Sequence, residues 1–425
     1  MRAFTLLALL AVLGTVVLVD LAEAQRARGL DRRTLLCYAA AWHAKYKPRD
    51  VNSDLCSMIM VAFGRLVVSQ TGALEEAYPM SDDDNKVSVG GVVHELQRRN
   101  SSTAVGLTIG GWAEGSERFS VVSADPQKRK VFVNSVVKAV KRWNLKGVEL
   151  AWVAPGTRGG QKTDGANYVQ LVAVSKRRGG LRPSRRVGRA PITALLHPVT
   201  QDVSRALVPL GVYVGVALPV TNGDDFFAAF HLADLAEHVD WFLLQGYDLH
   251  GHWDPFTDVN SPLYSAAPND NQTLSWRLGE FLRRAPRPEL FVLSMPAFGR
   301  TWTLADSPVP GALGARSELG VMFGDGMLAY NEICTYLNAD EDDERKLITS
   351  RDPVSKTPYA VSNRPTRRGF VSYDDPQSIR EKVDFALASG LPGVALFTID
   401  NDDYLGTCGA KYPLLKAARE ALDRD

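Results

Sequence analysis

Eight short apolar segments, each followed by a stretch of helical periodicity, constrain this chain more than any other feature. They are residues 34–41 (TLLCYAAA), 57–63 (SMIMVAF), 104–109 (AVGLTI), 145–156 (LKGVELAWVAPG), 213–219 (YVGVALP), 241–246 (WFLLQG), 290–297 (LFVLSMPA) and 394–399 (VALFTI). Most run apolar without alternation, as strands buried on both faces of a parallel sheet do. Helices fall between them. Asp125-Pro126 is an N-cap followed by proline at the first helical position. Val131, Phe132, Ser135, Val136, Ala139, Val140 and Trp143 then recur at the i, i+3/i+4 spacing of one buried face. Further helices are predicted over 166–175, 226–237, 274–284, 379–388 and 413–422. The repeat predicts an α/β chain folded as a (β/α)8 TIM barrel, with residues 25–300 and 371–425 in the barrel. About 90 residues separate the last two segments, more than a βα connection needs. A small α+β insertion domain between strands 7 and 8, residues 301–370, is expected there.

The N-terminus reads as a secretory signal peptide over residues 1–24. Arg2 supplies the charge, an apolar run extends from Phe4 to Val19, and Ala22-Glu23-Ala24 is a small-x-small cleavage site. That run is about 16 residues, short of the roughly 20 that span a bilayer. The expectation is a secreted, extracellular protein with no membrane span. A formal charge of +1 gives no global pull toward nucleic acid. In an oxidising compartment the four cysteines, Cys37, Cys56, Cys334 and Cys408, suggest two disulfides in one of three connectivities. The simplest joins the near pair, Cys37 with Cys56, and the far pair, Cys334 with Cys408. Asn100 and Asn271 open N-glycosylation sequons. His250 and His252 are better read as a polar loop than as ligands, so no metal and no cofactor are expected. From Lys176 to Arg189 the chain carries seven basic residues in fourteen and no acid. We read this as a solvated insertion loop (176–189) within the barrel; the sharper alternative is a patch for acidic glycans such as heparan sulfate.

Residues 145–156 stand out among the strands. Side chains alternate along a strand, so Gly147, Glu149, Ala151 and Val153 share one face. If that face lines a barrel, its C-terminal end is where chemistry would sit. It offers one carboxylate, Glu149, followed by a methyl and an isopropyl group.

The pieces Cys37-Tyr38 with Trp42, Gly110-Gly111-Trp112, GVELAWVAPG, QGYDLHGHWDP, MPAFGRTW, AYNEIC, SYDD and GVALFTIDNDD occur in one order. Together they resemble family 18 glycoside hydrolases, the chitinases and chitinase-like proteins, especially those of arthropods. The resemblance implies a TIM barrel with an insertion between strands 7 and 8 and the near-and-far disulfide pairing. It also implies a catalytic strand of the form DGxDxDWEYPG. Aligned on Gly147 and Trp152, this chain has Lys146, Glu149, Ala151, Val153 and Ala154 where that pattern has Asp, Asp, Asp, Glu and Tyr. In the family the substrate's own N-acetyl oxygen is the nucleophile, the glutamate protonates the leaving oxygen, and the adjacent aspartate orients the acetamido group. Val153 has no proton to give and Ala151 no charge. General acid catalysis contributes roughly 10²–10⁴-fold, so the expectation is a chain with no catalytic residues and no enzyme activity. Glu149 lies four residues before Val153, roughly 13 Å along a strand, too far to stand in for it. Buried, it needs a partner or a proton, and Lys146 points to the opposite face.

The resemblance also implies a sugar-binding groove. Trp42 and Trp112 match tryptophans whose flat faces suit a sugar ring. Tyr247 and Asp248 match a pair that touches the N-acetyl group, and Arg300 matches a groove arginine. Gln245 stands where methionine is usual. Phe298 replaces a tyrosine, and Phe397 replaces the tryptophan that floors the central subsite. Chitin or other N-acetylglucosamine oligosaccharides are the expected partners. The alternative is a growth-factor-like or immune-modulating signalling protein acting through a cell-surface receptor or acidic glycans.

Overall fold

Eight parallel strands close on themselves in the computed structural model, which describes residues 29–43, 45–68, 74–75, 87–173, 203–220, 227, 229–267, 270–306, 312–319, 323–362, 364 and 366–424. The expected leader (1–24) and the basic stretch 176–189 lie outside these residues. The strands are β1 (Thr34–Ala40), β2 (Met58–Gly64), β3 (Ala104–Gly110), β4 (Gly147–Ala151), β5 (Tyr213–Pro219), β6 (Trp241–Gln245) and β7 (Phe291–Pro296). After the insertion strands β8 (Phe298–Thr303), β9 (Met327–Ala329), β10 (Leu347–Arg351), β11 (Pro358–Ser362) and β12 (Gly369–Ser372) comes β13 (Gly393–Phe397), the eighth barrel strand. Around the barrel the order is β1-β13-β7-β6-β5-β4-β3-β2, with Thr34 beside Gly393 and Leu36 beside Met58 at the closure. Strand β4 is shorter than predicted and ends at Ala151. Beyond it Trp152 turns outward to stack on Phe119 at 5.1 Å, while Val153 and Ala154 join the barrel's inner cluster.

Local signals act as the sequence suggests. The Asp125 carboxylate accepts the N–H groups of Gln127 and Lys128, an N-cap worth about 1 kcal/mol, and opens the helix Pro126–Trp143. The buried face of that helix includes Phe132, Val133, Val136, Ala139, Val140 and Trp143, with Val133 in place of Val131 and Ser135. Within the predicted helix over 226–237, residues 227 and 229–230 are helical and a separate short helix covers Leu232–Leu235. Asn100 and Asn271 are both exposed. Among the described residues no helix is long and apolar enough to cross a membrane.

The insertion is an antiparallel sheet in the order β9-β8-β12-β11-β10. Alternation gives it two apolar faces. Ala360 and Val371 pack with Ile333 on one side, while Tyr359, Val361 and Phe370 pack with Trp302 on the other. Two buried links fasten it to the barrel. The Cys334–Cys408 disulfide joins the insertion helix Tyr330–Leu337 to the loop after β13. Near the return to the barrel, the ammonium of Lys382 lies 2.7 Å from the Asp374 carboxylate and donates to Ser261 Oγ at 2.6 Å. The second disulfide, Cys37–Cys56, ties β1 to the approach to β2. Both pairings are those the resemblance implies.

The Lys382–Asp374 pair is sealed from water, its side chains 1% and 0% exposed. Lys382→Met should therefore leave a buried anion unpaired and cost about 3–5 kcal/mol in urea unfolding. Adding Asp374→Asn should recover part of that loss.

Candidate functional site

Parallel strands deliver all their C-terminal ends to one rim. On that rim the chain forms a cleft of about 850 Å³. Trp42, Trp112, Gln245, Tyr247, Asp248, Arg300 and Phe397, the seven residues expected to hold sugar, all line it. Trp42 follows β1, Trp112 follows β3, and Gln245 ends β6 just before Tyr247-Asp248. Phe397 ends β13, and Arg300 comes from the insertion strand β8.

Aromatic rings form one continuous wall. The Trp42 ring stacks on Phe63 at 5.5 Å with 6° between planes. Phe63 meets Phe397 at 6.1 Å, Phe397 stacks on Tyr247 at 5.5 Å, and Tyr247 meets Phe298 edge-on at 5.4 Å. The turn that presents Trp112 depends on Gly111. Its φ is +87°, and a Cβ there would come within 2.9 Å of the Phe63 ring. The result is two open indoles, Trp42 at 58% and Trp112 at 63% exposure.

Opposite this wall are polar groups held in place. Asp248 Oδ1 accepts from Arg300 Nε at 2.8 Å, and the Asp248 N–H donates to Asn260 Oδ1 at 2.9 Å. The Arg300 guanidinium lies 5.3 Å from the Trp253 ring. Burial raises the Tyr247 hydroxyl well above its ordinary pKa, against the pull of the Ser294 hydroxyl beside it, so it stays protonated. Two further carboxylates line the cleft, and both are engaged. Glu332 accepts the Ala329 N–H at 2.9 Å, and Asp403 accepts those of Thr407 and Cys408, each at 2.8 Å.

The barrel interior beneath has a different character. Ala151, Val153 and Ala154 are buried against one another and against Tyr38, Met60 and Trp241, and none lines the cleft. Glu149 is fully buried and takes no cation among the described residues. Its Oε2 accepts from Tyr38 Oη at 2.8 Å and Trp241 Nε1 at 2.9 Å, and Oε1 from Thr108 Oγ1 at 3.2 Å. Desolvation pushes the carboxyl up to about 7, against the pull of those three donors. Lys146 reaches Asn144 Oδ1 instead, at 3.0 Å.

The structure adds cleft residues that sequence reasoning passed over. Phe63 reads in the sequence as one more apolar strand residue; its place at the C-terminal end of a barrel strand is the signal that marks it. Asn331, Glu332 and Tyr336 also line the cleft, and all belong to the insertion helix. AYNEIC flags that segment as a motif without saying which side chains face inward. His43 and Lys45 complete the rim beyond Trp42, and no local pattern marks them.

A model of the glycosyl hydrolases family 18 matches residues 34–402. A probable chitinase 2 of Drosophila melanogaster is 28% identical over 404 residues, covering 91% of this chain and 75% of that protein. The crystal structure of the Ostrinia furnacalis Group IV chitinase superposes with a TM-score of 0.76 at 22% identity, covering 92% of this chain and all of that one. Human YKL-39, described as a pseudo-chitinase with retained chitooligosaccharide binding properties, superposes with a TM-score of 0.70 at 21% identity, covering 93% of this chain and 100% of that one.

A carboxyl whose pKa is raised by folding favours the native state below its unfolded value of 4.5 and loses that contribution as pH climbs toward about 7. Glu149→Gln keeps the shape and can still accept from Trp241 and Tyr38 while donating to Thr108. We expect urea unfolding of the wild type to weaken between about pH 5 and about pH 8 by an amount the variant does not show. At the upper end the variant should be more stable by about 3 kcal/mol.

Proposed function

This chain belongs to family 18 of the glycosyl hydrolases, and on that premise we propose that it is a secreted, non-catalytic chitinase-like protein. Its cleft holds chitin oligomers or another N-acetylglucosamine-containing glycan. One observation carries the reading. The seven residues expected to hold sugar line a single cleft, while Ala151 and Val153, the positions of the family's aspartate and glutamate, are apolar, buried and outside it. Proton donation to a glycosidic oxygen needs an acid within hydrogen-bond reach of it. The three carboxylates that line the cleft are each engaged, Asp248 by Arg300 and the other two by backbone N–H groups.

Binding needs none of the lost groups. The rings from Trp42 to Phe298 offer apolar faces to sugar rings. The Tyr247 hydroxyl, kept protonated by burial, is a donor that an acetamido carbonyl suits. Phe298 and Phe397 remove a hydroxyl and an indole N–H from the family's groove, so polar contacts are fewer and stacking carries a larger share. YKL-39, a pseudo-chitinase with retained chitooligosaccharide binding properties, is the precedent. Secretion rests on the leader read in residues 1–24 together with the two disulfides.

Titration of the purified mature protein with chitotetraose should saturate, and Trp112→Ala should weaken binding about tenfold. Absence of binding at millimolar ligand would remove the reading. A fluorogenic chitobioside should give no signal above a buffer blank. The double change Ala151→Asp with Val153→Glu should raise weak hydrolysis from that blank if the groove is otherwise intact.

A further inference from the structure

Trp112 projects from a turn with most of its ring in solvent, 63% exposed. A ring so placed is a useful platform only if something holds its plane. One face is already occupied. The Arg158 guanidinium sits 3.9 Å from the centre of the indole, and Arg158 Nη1 donates to the Trp112 carbonyl. Trp112 lines the cleft and Arg158 does not, so the arginine covers the face turned away from it.

Arg158 is itself firmly based. It follows strand β4 and the apolar residues Trp152 to Ala154 beyond it. Its carbonyl accepts the Ser116 N–H at 3.1 Å, four residues past Trp112. Ser116 Oγ in turn accepts from Trp152 Nε1 at 2.9 Å and donates to the Ala154 carbonyl. The same loop is closed below by Asp164 Oδ2, which accepts the N–H groups of Gly156 at 3.0 Å and Gln161 at 2.8 Å. Among the described residues no carboxylate pairs with Arg158 within 4.0 Å, so its charge is directed at the indole and its donor at the turn's carbonyl.

We infer that Arg158 is a positioning residue for sugar binding: it clamps the outer face of Trp112 and so presents the inner face to a glycan ring. This rests on the reading of the cleft as a glycan site. A planar guanidinium can stack and hydrogen-bond at once; an ammonium cannot. The loop after the former catalytic strand thereby keeps a binding role that does not depend on the residues lost from the strand.

Two readouts test it. The first is chitotetraose affinity. Arg158→Ala should weaken it about two- to fivefold, the size of an exposed cation–π contact, and Arg158→Lys should recover only part. In a Trp112→Ala background, Arg158→Ala should cost nothing more. The second needs no sugar. Acrylamide quenching assigned to Trp112, by difference from the matching Trp112→Phe protein, should rise when Arg158 is replaced by alanine. Unchanged quenching overturns the inference, whatever the affinity. So does an equal affinity loss with or without the Trp112 indole, which would mean that Arg158 acts elsewhere. If the wild type binds no chitotetraose but the quenching rises, the glycan reading fails while the clamp itself stands.

Discussion

An eight-stranded barrel must fill its own middle with side chains, and everything on its rim rests on how that is done. Here Trp241 does most of the filling. Its indole lies over Gly215, where a Cβ would come within 2.0 Å of the ring, and its N–H reaches Glu149. The carboxyl completes the layer by taking Thr108 from the neighbouring β3 and Tyr38 from β1 across the interior. Tyr38 then meets Phe397 at 5.6 Å, which carries the packing up into the cleft wall. A single ionisable group thus holds four strands and the floor of the cleft in register. Its burial without a cation makes it a structural acid, one that serves best with its proton on.

The upper barrel forms two layers with different chemistry. Methyl and isopropyl groups at Ala151 and Val153 extend the apolar interior upward, and the cleft begins above them. Within the cleft, Trp42, Phe63, Trp112 and Phe397 come from barrel strand ends, whereas Phe298, Arg300, Asn331, Glu332 and Tyr336 come from the insertion. Both parts of the chain therefore contribute rings and polar groups to the cleft.

Much of the fold was legible in the sequence because burial on both faces of a parallel sheet writes continuous apolar segments, and seven of the eight predicted strands coincide with observed ones within about two residues. The exception is instructive. Residues 145–156 read as one long strand because Trp152, Val153 and Ala154 are apolar, yet the strand ladder stops at Ala151, and beyond it side-chain packing and hydrogen bonds of Trp152 and Ala154 to Ser116 hold the segment. The site was legible through motifs where one residue type does one job, as with Trp112 after two glycines. Phe63, His43 and Glu332 were not, because their roles arise from where distant segments converge. The partners of Glu149 were also hidden: Tyr38, Thr108 and Trp241 come from three non-adjacent strands that only the closed barrel brings together in one interior.

The links between insertion and barrel have a consequence for how the cleft can move. The Cys334–Cys408 bridge, the Asn331 amide on the Asp400 and Asp402 carbonyls, and the buried Lys382–Asp374 pair fasten the insertion at both of its ends. Two walls pinned this way cannot hinge apart like jaws. The width of the groove is set when the protein is oxidised and folded, before any ligand arrives.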